Sequence, residues 1–256
     1  MMRGDLHTHT TYCDGKNTPK EMVEAAMNRG DRYIGFSGHG YTRFDESYCM
    51  SKEGQRAYFQ EIQALKQKYG DRIRIFLGVE KDYYSGETTS KFDYVIGSVH
   101  YMRFGNEYVD VDNTPEILRY AADRYCNGDM YKVCEAYYKN VGDVVEKTGC
   151  DIIGHFDLIS KFIETDKLFD PKNPRYVKAW KEAVDKLVPY GIPFEINTGA
   201  MSRGYRMTPY PSSEIRDYIR EKGGKFVLTG DSHSAETLCY AFEKYESEAI
   251  EPDFVR

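Results

Sequence analysis

The chain contains six histidines, and each follows a short β-type run or its immediate end. Asp5-Leu6-His7-Thr8-His9 closes the first such run, Ser37-Gly38-His39 the second, and Gly78-Val79-Glu80 the third. Ser98-Val99-His100 closes the fourth, Ile153-Gly154-His155 the fifth, and Gly230-Asp231-Ser232-His233 the last. A lone histidine is more often a satisfied core or surface residue than a ligand, but positions that recur at strand ends are not independent. In extended backbone, residues two apart face the same way, so His7 with His9 and Asp231 with His233 can each serve one ion from one strand edge. Imidazoles mixed with carboxylates suit zinc, iron or manganese; calcium and magnesium favour oxygen alone.

The elements that must position these groups alternate along the chain. β-Type runs are expected at 3–7, 32–37, 73–79, 92–98, 150–154, 192–196 and 225–229. Thr18-Pro19-Lys20-Glu21 predicts a helix start, with a capping threonine, proline in the first turn and glutamate three residues after the cap; Gly30 predicts its stop. Further helices are expected at 51–69, 114–126, 129–148, 174–189 and 235–246, and one opening at Pro211-Ser212-Ser213-Glu214 and ending at Gly223-Gly224. Strand and helix in alternation predict a parallel sheet, and about seven such units in one domain favour a closed α/β barrel over an open sheet. In a parallel barrel all strand C-termini lie on one face, so every histidine is expected there. No glycine-rich phosphate loop follows a strand, which excludes the usual nucleotide-binding open sheets.

At 256 residues, 41% of them hydrophobic, the chain has the length of a single barrel domain, taken as 1–256. No apolar run is long enough to span a bilayer and no secretory signal opens the chain, so a cytoplasmic protein without membrane attachment is expected. A net charge of -6 argues against gripping nucleic acid, while a small phosphorylated ligand needs only a local cation. Six scattered cysteines without a CxxC pair are expected as reduced thiols. Oligomeric state is left open.

Taken together, the HxH, GH, Glu, His, GH and DxH series resembles the polymerase-and-histidinol-phosphatase (PHP) superfamily over nearly the whole chain, within a distorted TIM-like barrel of about seven parallel strands. The His7-Thr8-His9 and Cys13-Asp14-Gly15 opening, Leu158-Ile159-Ser160-Lys161-Phe162 after His155, and Glu195-Ile196-Asn197-Thr198-Gly199 before Tyr210-Pro211-Ser212 are closest to the histidinol-phosphatase type. The resemblance implies that His7, His9, Glu80 and Asp231 hold one ion, that Glu80 bridges to a second held also by His100 and His155, and that Asp14, His39 and His233 hold a third. It thereby implies two to three divalent transition-metal ions (zinc, manganese or iron) and no side-chain nucleophile. Paired ions lower the pKa of water to about 7, so a bridging hydroxide would attack a phosphate monoester. The implied substrate is L-histidinol phosphate. Another phosphoesterase of the superfamily, acting on a nucleotide, a nucleic-acid end or phosphotyrosine, and a non-catalytic metal module are the alternatives.

Arg203 and Arg206, in the loop after the sixth run, are the expected phosphate grips because a guanidinium makes two parallel hydrogen bonds; Lys161 is a further candidate. Relatives of this type tend to carry arginine where this chain has Ser160. An alcohol bearing an amine and an imidazole calls for acidic or aromatic contacts, available at Glu107, Asp110, Asp157, Tyr83 and Tyr84.

Overall fold

The computed structural model describes residues 4–252 and 254; Met1, Met2 and Arg3, and with Arg3 the start of the first expected run, lie outside the described residues. The strands are β1 (Gly4–Asp5), β2 (Tyr33–Phe36), β3 (Arg74–Asp82), β4 (Tyr94–Ser98), β5 (Tyr101–Phe104), β6 (Glu107–Asp110), β7 (Ile152–Ile153), β8 (Phe194–Asn197) and β9 (Phe226–Thr229). The helices are α1 (Pro19–Arg29), α2 (Lys52–Tyr69), α3 (Pro115–Cys126), α4 (Met130–Gly142), α5 (Val144–Thr148), α6 (Pro174–Leu187), α7 (Gly199–Ser202) and α8 (Ser213–Glu221). Seven strands form one sheet in the order β1-β2-β3-β4-β7-β8-β9, parallel throughout, and β5 and β6 form a separate antiparallel hairpin.

The seam between the first and last strands is drawn together by polar groups. Thr8 and Ser232 make a parallel bridge, with His9 N–H donating to Ser232 O and Ser232 N–H to His7 O, each at 2.9 Å. The buried Asp5 carboxylate accepts from Gly230 N–H at 2.9 Å and from Ser232 Oγ at 3.0 Å. A nearly closed, distorted TIM-like barrel results, as expected.

Side chains alternate across the barrel wall as the strand period requires. Ile75, Leu77 and Val79 join the large core under the helices, whereas Phe76 joins Leu6, Tyr33, Tyr94, Ile96, Ile152 and Val227 in a second apolar cluster. Tyr94 occupies space that two glycines leave open. A Cβ on Gly78 would come within 2.3 Å of its ring and one on Gly35 within 2.5 Å of its hydroxyl, which donates to Leu6 O. Phe254 stacks on Tyr94 with ring centroids 5.3 Å apart.

The capping box of α1 is present as expected: Thr18 Oγ1 accepts from Glu21 N–H and Glu21 returns a carboxylate to Thr18 N–H. Two helices differ from expectation. The stretch 129–148 divides into α4 and α5 because Asp143, at ψ 0° with its N–H bonded back to Asn140 O, interrupts the helical run. The stretch 235–246 is not one helix but short 3-10 turns, Ala235–Thr237 and Phe242–Lys244, with a third at Glu246–Glu248. Cys239 and Ala241 between them take left-handed φ values of 53° and 55°, and Cys239 N–H is drawn to Asp5 Oδ2 at 3.3 Å. Among the described residues no helix is long and apolar enough to cross a membrane.

Candidate metal centre

The same alternation that packs apolar side chains low in the barrel brings polar ones inward at the strand C-termini. Glu80 follows Phe76 and Gly78 on β3, Ser98 follows Tyr94 and Ile96 on β4, and Thr229 follows Val227 on β9. Glu80 lies at the centre and is 1% exposed. Its Oε1 meets His155 Nε2 at 2.9 Å, His100 Nε2 at 3.3 Å and Ser98 Oγ at 2.6 Å. Its Oε2 meets His39 Nδ1 at 2.9 Å, His7 Nε2 at 3.3 Å and His9 Nε2 at 3.6 Å. Each carboxylate oxygen therefore faces its own set of imidazoles.

Asp231 Oδ1 lies 3.1 Å from His9 Nε2 and 3.7 Å from His7 Nε2. Asp14 Oδ2 lies 3.1 Å from His233 Nε2 and 3.7 Å from His39 Nε2. Potential ligand atoms converge in three overlapping groups: His9, Asp14, His39 and His233; His7, His9 and Glu80; and His39, Glu80 and His100. These groups hold seven of the nine side chains singled out by the sequence, with His9, His39 and Glu80 each in two of them; the other two lie alongside, His155 against Glu80 Oε1 and Asp231 against His9 Nε2.

The donor set fits cations. His7 Nε2, His9 Nε2 and Glu80 Oε2 are buried and have no hydrogen-bond partner, a costly arrangement unless something positive sits among them. Burial opposes the charge on Glu80, yet His39, His7 and His100 hold its carboxyl well below the ordinary carboxylate range. Asp231 is likewise held low against burial by Arg203 and His7. Burial, with His233 and His39 adding their charge, pushes His9 down to about 3, which leaves its imidazole neutral and its lone pair free.

Outer groups fix the rings. Glu195, fully buried in β8, accepts from His7 Nδ1 at 2.8 Å and from Thr229 Oγ1 at 2.8 Å, so His7 presents Nε2 to the centre. Asp82 Oδ2 accepts from His100 N–H at 3.0 Å and lies 3.4 Å from its Nδ1. Neither role was assigned from sequence. Glu195 left a signal: an unpaired carboxylate amid the apolar alternation of Phe194-Glu195-Ile196-Asn197, in the inward register that Glu80 also occupies. Asp231 takes a left-handed φ of 47°, a strained conformation of the kind that gathers at functional sites.

A cavity of 380 Å³ opens over the cluster. Lys161, Arg203, Asp110 and Asp112 line it, as do Tyr48 and Tyr101. Arg203 donates to Asp231 Oδ2 and to Asp231 O, both at 3.0 Å, and its Nη1 lies 2.7 Å from His233 Nδ1. Lys161 Nζ donates to Asp112 O at 2.6 Å and Oδ2 at 2.9 Å. Arg206, expected beside Arg203, instead lines a separate cavity, where its Nη1 donates to Ser160 Oγ at 2.8 Å and pairs with Asp157 at 3.6 Å. Of the residues expected to meet an amine or imidazole, Asp110 lines the metal cavity; Glu107, Asp157, Tyr83 and Tyr84 do not.

A parallel barrel with histidines and carboxylates converging at its C-terminal face defines a metal-dependent hydrolase class of site. The chain belongs to the PHP domain family, whose profile matches residues 5–199. A Schizosaccharomyces pombe protein named "Probable histidinol-phosphatase" is 32% identical over 248 residues, covering 89% of this chain and 79% of that one. A crystal structure from Listeria monocytogenes superposes with a TM-score of 0.82 at 20% identity, covering 95% of this chain and 100% of its own. The Lactococcus lactis histidinol phosphate phosphatase, crystallised with zinc, L-histidinol and phosphate, superposes with a TM-score of 0.67 at 24% identity over 91% of this chain and 87% of its own.

Proposed function

We propose that this chain is a metal-dependent phosphoric monoester hydrolase that converts L-histidinol phosphate to L-histidinol and inorganic phosphate, a step of histidine biosynthesis. The observation that carries the reading is Glu80, whose two oxygens face separate groups of buried, partly unpartnered imidazoles beneath an open cavity. The name of the fission-yeast relative and the products bound in the Lactococcus enzyme support the substrate.

In this reading His7, His9, Glu80 and Asp231 would hold one ion, Glu80 with His100 and His155 a second, and Asp14, His39 and His233 a third. Zinc, manganese or iron would supply Lewis-acid charge and an activated water. The chain's own groups do the rest. Arg203, anchored on Asp231, presents its guanidinium to the phosphoryl oxygens, and Lys161, over the Tyr205 ring of the same loop, adds a second cation. Glu195 and Asp82 hold His7 and His100 in orientation. Asp110 and Asp112 meet the ammonium of the alcohol, while Tyr48 and Tyr101 offer faces to its imidazole. Asp110 is pushed up to about 6 by burial and by Asp112, so it carries its charge above that pH. An acidic rim suits a cationic alcohol and opposes a polyanion, which counts against nucleic acid as substrate.

Elemental analysis of the purified protein tests the first requirement. Two to three equivalents of zinc, manganese or iron per chain are expected from the seven grouped side chains with His155 and Asp231 beside them. Fewer than one equivalent after reconstitution with each metal contradicts it.

A further inference from the structure

Asp231 is the one proposed ligand with a left-handed backbone, φ 47°, a conformation that a residue other than glycine keeps only where its surroundings impose it. The residues on either side of it are held by a single group. Gly230 N–H donates to Asp5 Oδ1 at 2.9 Å, and Ser232 Oγ lies 3.0 Å from Asp5 Oδ2. At Gly230 a side chain would overlap Asp5 Oδ2, so carboxylate and loop close directly on each other.

The same carboxylate reaches the other half of the site. Asp5 is 1% exposed, and its Oδ1 also accepts from His7 N–H at 3.0 Å. One oxygen thus takes a donor from the segment that carries His7 and His9 and another from the segment that carries Asp231. Cys239 N–H adds a contact to Oδ2 at 3.3 Å from the turns beyond.

What these bonds fix is the direction of Asp231. Its side chain packs on Gly199, where a Cβ would lie 2.7 Å from Asp231 Cβ, and its Oδ2 accepts from Arg203 at 3.0 Å. With the backbone bracketed and Oδ2 taken, Oδ1 is left 3.1 Å from His9 Nε2 and 3.7 Å from His7 Nε2. A return to an ordinary negative φ would rotate the carboxylate out of that position.

We propose that Asp5 is a positioning residue of the metal centre: by bracketing Gly230 and Ser232 it imposes the left-handed backbone that aims Asp231 at the ion shared with His7 and His9. It holds no ion and touches no substrate. This role rests on the metal assignment proposed above, whichever ester is hydrolysed. Its four hydrogen bonds leave the ion assigned to Glu80, His100 and His155 aside, and that asymmetry can be measured.

Full-length protein loaded with cobalt(II) is challenged with increasing EDTA while bound metal, the visible absorption bands and the thermal melt are followed. In Asp5→Asn one equivalent is expected to leave at a chelator concentration at least about tenfold lower than in the parent, with altered bands, while the remaining cobalt leaves as in the parent. Asp231→Asn should produce the same loss, and the double variant should add nothing to it. A residue that only closed the barrel would lower the melting temperature and leave the chelation profile and spectrum unmoved. That result overturns the proposal, as do losses in Asp5→Asn and Asp231→Asn that add in full. Should Asp5→Asn fail to fold, Ser232→Ala, which removes one bracket with little change of volume, must weaken the same ion by about threefold or more, and an unaltered profile there overturns the proposal equally. A parent that takes up less than one equivalent of cobalt defeats the metal assignment itself, and the role of Asp5 with it.

Discussion

The two ends of the barrel interior are built by the same strands in the same register and have opposite character. Low in the barrel, Leu6, Tyr33, Phe76, Tyr94, Ile96, Ile152 and Val227 fill the space, with Phe254 against them. One or two inward positions further along, Glu80, Ser98, Glu195 and Thr229 bring charge and hydroxyls into equally deep burial, and the strand ends add histidines. The first region meets the rule that interiors are close-packed and apolar; the second breaks it with orphaned imidazole nitrogens and a central carboxylate. The difference separates what holds the fold from what the fold is used for.

Substitutions should therefore part the two ends. The largest effect is expected for His9→Ala, with metal loss and turnover reduced by at least about a hundredfold, since losing a direct ligand should cost no less than disturbing its support. Its thermal melt should stay cooperative. Near-normal turnover with metal content confirmed would make His9 a structural residue. Tyr94→Ala is the converse, expected to cost about 3–5 kcal/mol of stability for a large buried aromatic while the folded fraction keeps its metal. A Tyr94→Ala protein that melts like the parent would mean the apolar end does not carry the fold.

Arg203→Ala should lower kcat and raise KM together, reducing kcat/KM by about ten- to a thousandfold, because a cation on a transferring phosphoryl group acts in ground and transition states. Unchanged kinetics would pass the phosphate to Lys161. Asp110→Asn should have the smallest effect, about tenfold in kcat/KM for L-histidinol phosphate, with p-nitrophenyl phosphate unaffected. Equal losses on both esters would place Asp110 outside the alcohol site.

The same contrast explains what the sequence made legible. His7, His9, His39, His100, His155 and His233 stood out because strand periodicity and residue chemistry coincide at strand C-termini, and the seven parallel strands followed from alternation alone. Asp5 and Glu195 were not legible in their roles, since both act through partners more than 180 residues away that only the closed barrel brings near. Helical propensity misled at 235–246 for a related reason: Asp5 captures Cys239 N–H, and this tertiary bond accompanies left-handed backbone where a helix was expected. Arg203 and Arg206 are three residues apart and chemically alike, yet one reaches Asp231 at the metal centre and the other Asp157 behind it.

The metal face is proposed to turn over one particular ester. Steady-state kinetics with the best metal at neutral pH should give L-histidinol phosphate a kcat/KM at least about a hundredfold above that of p-nitrophenyl phosphate, because contacts to amine and imidazole position the ester and raise kcat/KM. The comparison is demanding, since p-nitrophenolate is the better leaving group and an unselective phosphatase would favour it. Equal or inverted preference would contradict the substrate assignment and leave a phosphoesterase of the same family directed at another alcohol.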